Sequence, residues 1–155
     1  MNNTLRLILL GSLLTIFGLS ASAQIVLLVQ EPANLAGNYD FTYSSEGAGA
    51  WGADMDTIAI TAEAAFAYDD GTFVDPVNGA AGDSAACGDV VNMAEIDGKV
   101  AVLYRGACNF SLKAKNAQDG GAVGLIIINN VPGGPVGMGA GDFAEDVVIP
   151  VTMIG

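Results

Sequence analysis

Residues 99–130, KVAVLYRGACNFSLKAKNAQDGGAVGLIIINN, decide the fold. Val100 to Tyr104 is a continuous apolar run, the pattern of a strand buried on both faces of a parallel sheet. Arg105-Gly106-Ala107-Cys108 turns the chain, and Asn109 is placed to cap a helix. The apolar positions of that helix, Phe110, Ala114 and Ala117, recur at spacings of four and three. Gly120-Gly121 stops it, and Val123 to Ile128 is a second buried strand. Strand, helix and strand within about 30 residues predict a right-handed βαβ unit.

Upstream of this unit, Ile25 to Val29 is a short apolar run followed by a turn region at Pro32 and Gly37. Asn38 to Ser44 alternates, with Tyr39, Phe41 and Tyr43 on one face, and predicts a half-buried strand. From Thr57 to Tyr68 the even positions Ile58, Ile60, Ala62, Ala64, Phe66 and Tyr68 form one apolar face, predicting a long strand or bent strand pair. Asp69-Asp70-Gly71 ends it, residues 71–88 read as a loop, and Val90 to Ile96 as a short helical turn. Downstream, Asn129 to Asp146 reads as a loop, and Val147 to Ile154 as a further strand interrupted by Pro150. The whole predicts an α/β (α+β) domain: an open β-sheet with a βαβ unit and few short helices.

Composition narrows the function. A chain of 155 residues is one domain by length. Five Lys+Arg stand against 17 Asp+Glu, giving net −12, and there is no histidine. Ser-His-Asp and Cys-His machinery and His-ligated zinc are therefore excluded within this chain. The acidic balance argues against nucleic acid, whose phosphates need clustered Lys and Arg. The hydrophobic fraction of 52% is inflated by 24 alanines, and 21 glycines accompany them, which fits a compact, loop-rich domain rather than a membrane bundle.

The first 23 residues have the layout of a secretory signal peptide: a single charge up to Arg6, an apolar region from Leu7 to Leu19, and the small-residue cleavage site Ala21-Ser22-Ala23. Cleavage at about Ala23 predicts a secreted, extracellular or cell-surface protein spanning residues 24–155. No later segment has the roughly 18 apolar residues of a membrane helix, so no membrane association is expected after cleavage. In an oxidising compartment Cys87 and Cys108, the only cysteines, are a candidate disulfide. Two free thiols or a half-built metal site are the competing readings, the latter a poor one without His.

The run Gly98-Lys99-Val100-Ala101-Val102-Leu103-Tyr104-Arg105-Gly106-Ala107-Cys108-Asn109-Phe110 resembles the signature of the protease-associated domain. So do Lys113, Ala117-Gln118, Gly121-Ala122, Ile127-Ile128-Asn129-Asn130 and Ile149-Pro150-Val151-Thr152-Met153-Ile154. Ala86-Cys87-Gly88-Asp89 is similar to the segment that precedes the signature in secreted forms. There its cysteine pairs with the one after Arg-Gly, so the resemblance implies a Cys87–Cys108 disulfide. The resemblance is closest over residues 87–155. Gly120 departs from it, standing where the family more often has alanine, a change expected only to fray the helix end. The family usually continues past the Ile-Pro strand into another helix and a closing strand, so the domain is expected to be incomplete at its C-terminus, within a longer protein. The fold implied is an open sheet or β-sandwich. The function implied is a non-catalytic module, found in secreted subtilisin-like peptidases, aminopeptidases and fungalysin-type metallopeptidases and in sorting receptors, that binds substrate or partner proteins or covers an active site. The alternatives are that the chain is part of a metallo- or serine peptidase, or of a cell-surface adhesion protein.

Other chemistry is thinly supported. Asp69-Asp70 with Asp75, or Asp54 with Asp56, offer oxygen ligands for calcium, but the spacing misses the EF-hand pattern and no cofactor is expected. Gly137-x-Gly139-x-Gly141 lacks the Lys-Ser/Thr and the helix of a phosphate cradle. Asn109-Phe110-Ser111 is formally a glycosylation sequon at a helix start. Lys113 is read as facing outward from its helix, and Arg105 as bridging carbonyls or a carboxylate in its turn. In an open α/β sheet, ligands sit at the loops beyond the carboxyl ends of parallel strands. The candidate interaction residues are therefore Arg105 and Asn109 in the first such loop, and Asn129, Asn130, Val131 and Met138 in the second, with Val131, Val136 and Met138 expected to be exposed. The expected partner is a peptide or protein substrate, or a catalytic domain of the same parent protein.

Overall fold

The structure, a computed structural model, describes residues 24–47, 49–71 and 84–155. The expected leader at 1–23 and the acidic residue Asp75 lie outside these residues. Two sheets form. A small ribbon pairs β1 (Leu28–Val29) with β2 (Gly37–Asn38) antiparallel. The main sheet has five strands in the order β3 (Phe41–Tyr43), β7 (Val151–Ile154), β6 (Gly124–Ile128), β5 (Val100–Tyr104), β4 (Ala64–Phe66). Strands β4 to β7 run parallel, and β3 closes one edge antiparallel to β7.

The predicted βαβ unit is β5, α2 (Phe110–Asp119) and β6, with β5 and β6 in register from Val100↔Gly124 to Tyr104↔Ile128. Short α1 (Met93–Ile96) falls inside the predicted turn at 90–96. The apolar runs bury one face fully: Ala101, Leu103, Leu125, Ile127, Val151 and Met153 share the core with Ala114 and Ala117 of α2. Each fully buried Leu or Ile there is worth about 1.5–3 kcal/mol.

Three predicted elements differ in extent. The alternating run at 38–44 is divided, its first residue pairing in the small ribbon and Phe41–Tyr43 pairing with β7. Of the long strand predicted at 57–68 only Ala64–Phe66 pairs. Residues 57–63 leave the ladder and turn back against the sheet, where Ile60 Cδ1 lies 3.7 Å from a Cβ built on Gly124, and Ile58 and Ile60 stay about 40% and 39% exposed. The last strand begins only at Val151, because Pro150 has no N–H to give the ladder.

The loop after β6 does not hang free. The Thr42 hydroxyl donates to Val136 O at 2.7 Å, the Val136 N–H meets Met153 Sδ at 3.5 Å, and Trp51 Nε1–H donates to Met138 O at 2.9 Å. The loop thereby lies over the β3–β7 end of the sheet, on the face that α2 covers at the other end. Of the three apolar residues expected to be exposed, only Val131 is, at 48%. Met138 is buried at 6% and Val136 is partly buried, because the uncovered end of the core draws them in.

Candidate functional site

The carboxyl ends of β5, β6 and β7 meet at one rim, and Asn129 is its hub. Its backbone N–H donates to Ile154 O at 2.8 Å, joining β6 to β7. Its side-chain amide donates to Gly134 O at 2.8 Å, anchoring the following loop. Its Oδ1 accepts from Arg105 Nη1 at 3.0 Å, while the Arg105 backbone N–H donates to Ile128 O at 2.8 Å. Asn129 is 7% exposed, so every polar atom it brings to the rim needs such a partner. Arg105 is half-buried, and its other guanidinium N–H groups have no acceptor among the described residues. They are available to a carbonyl or carboxylate, which a planar guanidinium binds well.

The structure therefore brings two predicted site residues into direct contact and places the others along the same rim. Asn130 and Val131 are exposed where the loop leaves β6. Asn109 stands at the N-cap of α2 with extended backbone, but its side chain makes no capping bond. It packs instead against Gly141, where a Cβ would sit 3.0 Å from Asn109 Cβ. Met138, as noted, is core.

Below the rim lies the disulfide. Cys87 and Cys108 are bonded, with Cα atoms 5.8 Å apart, so the readings as free thiols or a half-built metal site fall. The segment that carries Cys87 is tied down by side chains from three directions. The buried Asp69 carboxylate accepts the N–H groups of Gly71 and Cys87, each at 2.9 Å. Asn116 on α2 donates to Ala86 O at 2.9 Å and Gly88 O at 3.0 Å. Lys113 donates to Ala85 O and approaches Cys87 Sγ at 3.5 Å.

Lys113, which the sequence predicts to face outward from its helix, is instead wholly buried. A position one residue before the Ala114/Ala117 stripe falls at the boundary of the helical face, and only the loop docked over α2 decides that it points inward. The roles of Asp69 and Trp51 also escaped the sequence. Asp69-Asp70-Gly71 reads as a turn, correctly for the Gly71 bond, but nothing local indicates that its other oxygen reaches a residue eighteen positions on.

Gly120 also has a tighter role than expected. A Cβ there would come within 2.8 Å of Ile96 Cδ1, so the glycine lets the end of α2 sit against α1. Among the described residues no group of three or more His, Cys, Asp or Glu side chains could hold a metal ion, and no helix is long and apolar enough to cross a membrane.

Comparison with known proteins agrees with the geometry. ER degradation-enhancing alpha-mannosidase-like protein 3 of Xenopus laevis is 38% identical over 77 residues, 45% of this chain and 8% of that protein. Leucine aminopeptidase 2 of Trichophyton equinum is 42% identical over 40 residues, 26% of this chain and 8% of that protein. The PII-type proteinase of Lacticaseibacillus paracasei is 54% identical over 37 residues, 24% of this chain and 2% of that protein. The chain thus matches only a small part of each relative's length. The family model of the PA domain matches residues 60–155, more than half of the sequence and all of the parallel sheet, and the chain belongs to that family.

Proposed function

We propose that this chain is a non-catalytic protein-interaction module that holds a peptide or protein at the carboxyl rim of its parallel sheet, as substrate binder or active-site cover for a larger secreted or luminal protein. The observation that carries this reading is the Arg105 guanidinium, fixed by Asn129 at 3.0 Å with no other acceptor among the described residues. A side chain held by one bond and open on the others presents preformed donors, which lowers the ordering cost of binding an extended backbone. The names of the aminopeptidase and proteinase relatives support a parent that is a peptidase. The disulfide and the leader-like first 23 residues support an oxidising compartment.

The test is a binding screen of the purified chain against an array of casein-derived peptides, with Arg105→Gln beside it. Losing a charge-assisted pair should weaken the best binders by about tenfold or more, with no hydrolysis of casein or aminoacyl chromogenic substrates by the chain. Turnover by the chain itself, or binding indifferent to Arg105→Gln, would overturn the reading.

A further inference from the structure

Gln24 follows the Ala21-Ser22-Ala23 cleavage site directly, so a cut after Ala23 turns its backbone nitrogen into the α-amine of the mature chain. The residues after it do not trail away. Ile25 and Leu27 are half-buried, Leu27 O accepts the Tyr39 N–H at 3.1 Å, and Leu28 enters the small ribbon. Residues 24–27 lie against the face of the main sheet opposite α2, where with Ile58, Ile60 and Ile126 they line a cavity of about 470 Å³. They help to cover Thr152, which lines the same cavity and is 4% exposed. The start of the mature chain is therefore fixed beside an apolar interior layer.

Gln24 itself is exposed, and among the described residues no group holds its side-chain amide. The amide carbon is free to swing back to the nitrogen of the same residue, an approach in which both reacting groups are already tethered. An ordinary α-amine titrates near about 7.7–8.0, so a neutral, nucleophilic fraction exists at neutral pH. The side chains of Ile25, Leu27 and Ile58 offer an α-ammonium no acceptor, and an unpaired charge is disfavoured beside them. Asp56 lines the same cavity. Pairing with it would slow attack by keeping the amine protonated, but would not prevent a step that ends with the loss of ammonia.

We infer that Gln24 is a modification site, closing to pyroglutamate once the leader is cut. The neutral α-amine attacks Cδ of its own side chain, and the new N–Cδ bond completes a five-membered lactam. The Cδ–Nε2 bond breaks, and the amide nitrogen leaves as ammonia with the proton given up by the amine. No oxidant, reductant or second substrate enters, and a glutaminyl cyclase changes only the rate. The lactam keeps one N–H and one carbonyl but no charge, so it lies beside the apolar layer without an ion to desolvate. It also leaves no free α-amine to an exopeptidase that starts at the amino end, which protects the segment covering Thr152. Closure at Gln24 rests on the leader and the secreted or luminal compartment proposed above, and needs nothing from Arg105 or Asn129 at the rim.

The experiment is the intact mass of the whole chain, exported with its own leader, purified and incubated with a glutaminyl cyclase, beside Gln24→Ala. The expected product is residues 24–155 lighter by one ammonia, with the loss mapped to the N-terminal peptide and no uptake of a reagent selective for α-amines. Gln24→Ala should keep its full mass and take the label. Gln24 is exposed, so the alanine leaves the fold intact. Residues 24–155 at full mass, with a labelled α-amine after incubation, would overturn closure at Gln24 and leave the leader standing. A chain that still carries residues 1–23, or that begins at another residue, would overturn the leader and closure with it.

Discussion

Each half-cystine is preceded by an alanine in the left-handed region, Ala86 at φ 49° and Ala107 at φ 70°. A Cβ in that region costs roughly 1–2 kcal/mol, and the disulfide and the surrounding hydrogen bonds hold both residues there. Ala107 is only half-buried, so Ala107→Gly should relieve the strain at little packing cost. The net effect expected is a gain of up to about 1 kcal/mol after the added chain entropy of glycine, read as a higher melting temperature. A loss would mean the methyl group packs more than its exposure suggests. Tyr43 gives a residue-scale test of the carboxylates around it. Desolvation, then Glu46, Asp56 and Asp54, raise its pKa above the ordinary 10.0. The folded state therefore keeps the phenol proton longer than the unfolded state. The stability it carries is fully present below pH 10.0 and is lost as pH rises through the raised folded value. In a Tyr43→Phe chain the alkaline fall in stability should be shallower, as followed by denaturant midpoints across that range. Identical alkaline profiles would remove the carboxylates from the neighbourhood of the phenol.

At the scale of elements, the segment around Cys87 has no regular structure and is ordered by what is attached to it. The bond to Cys108 closes a separation of 21 residues, and on the chain-entropy estimate Cys87→Ser/Cys108→Ser should cost roughly 3 kcal/mol. Lys113→Met should cost about 1–3 kcal/mol, because Ala85 O loses its donor in a part-buried place. Thermal melts of the single and double changes, combined as a cycle, would show whether the two act as one unit, as their 3.5 Å approach implies. The elements themselves were legible to very different degrees. β5, α2 and β6 are readable because their periods, buried runs and glycine stop all agree. β3 and β4 are not readable in extent, because an edge strand is as long as its neighbour allows, and that neighbour comes from a distant part of the chain. The inward turn of Lys113 was illegible for the same reason: the carbonyl it meets belongs to a loop 28 positions away.

Over the whole molecule, the core face of the sheet is sealed by two unlike covers. α2 seals the β5–β6 half, and the glycine-rich loop after β6 seals the β3–β7 half through Thr42, Trp51 and Met153. The sequence puts that loop beyond β6 and names Arg105 and Asn129, which meet there at 3.0 Å. Its composition suggested an adaptable, solvent-facing segment, because glycine content reports backbone freedom and says nothing of the core surface waiting beneath. Shortening Pro132 to Gly141 to a four-residue turn distinguishes a cover from a flexible connector. A connector could be shortened with little change in stability, since loop length enters closure entropy only logarithmically. A cover could not. The deletion would remove the buried Met138 side chain, worth about 1.5–3 kcal/mol, and the acceptor of the Trp51 indole N–H, worth about 1–3 kcal/mol when lost in a buried site. A loss of roughly 3–5 kcal/mol is therefore expected, with a red shift in the emission of Trp51, the only tryptophan and 5% exposed in the intact chain. Unchanged stability and unchanged emission would return the loop to the role its composition suggested, and would leave the β3–β7 half of the core needing another cover.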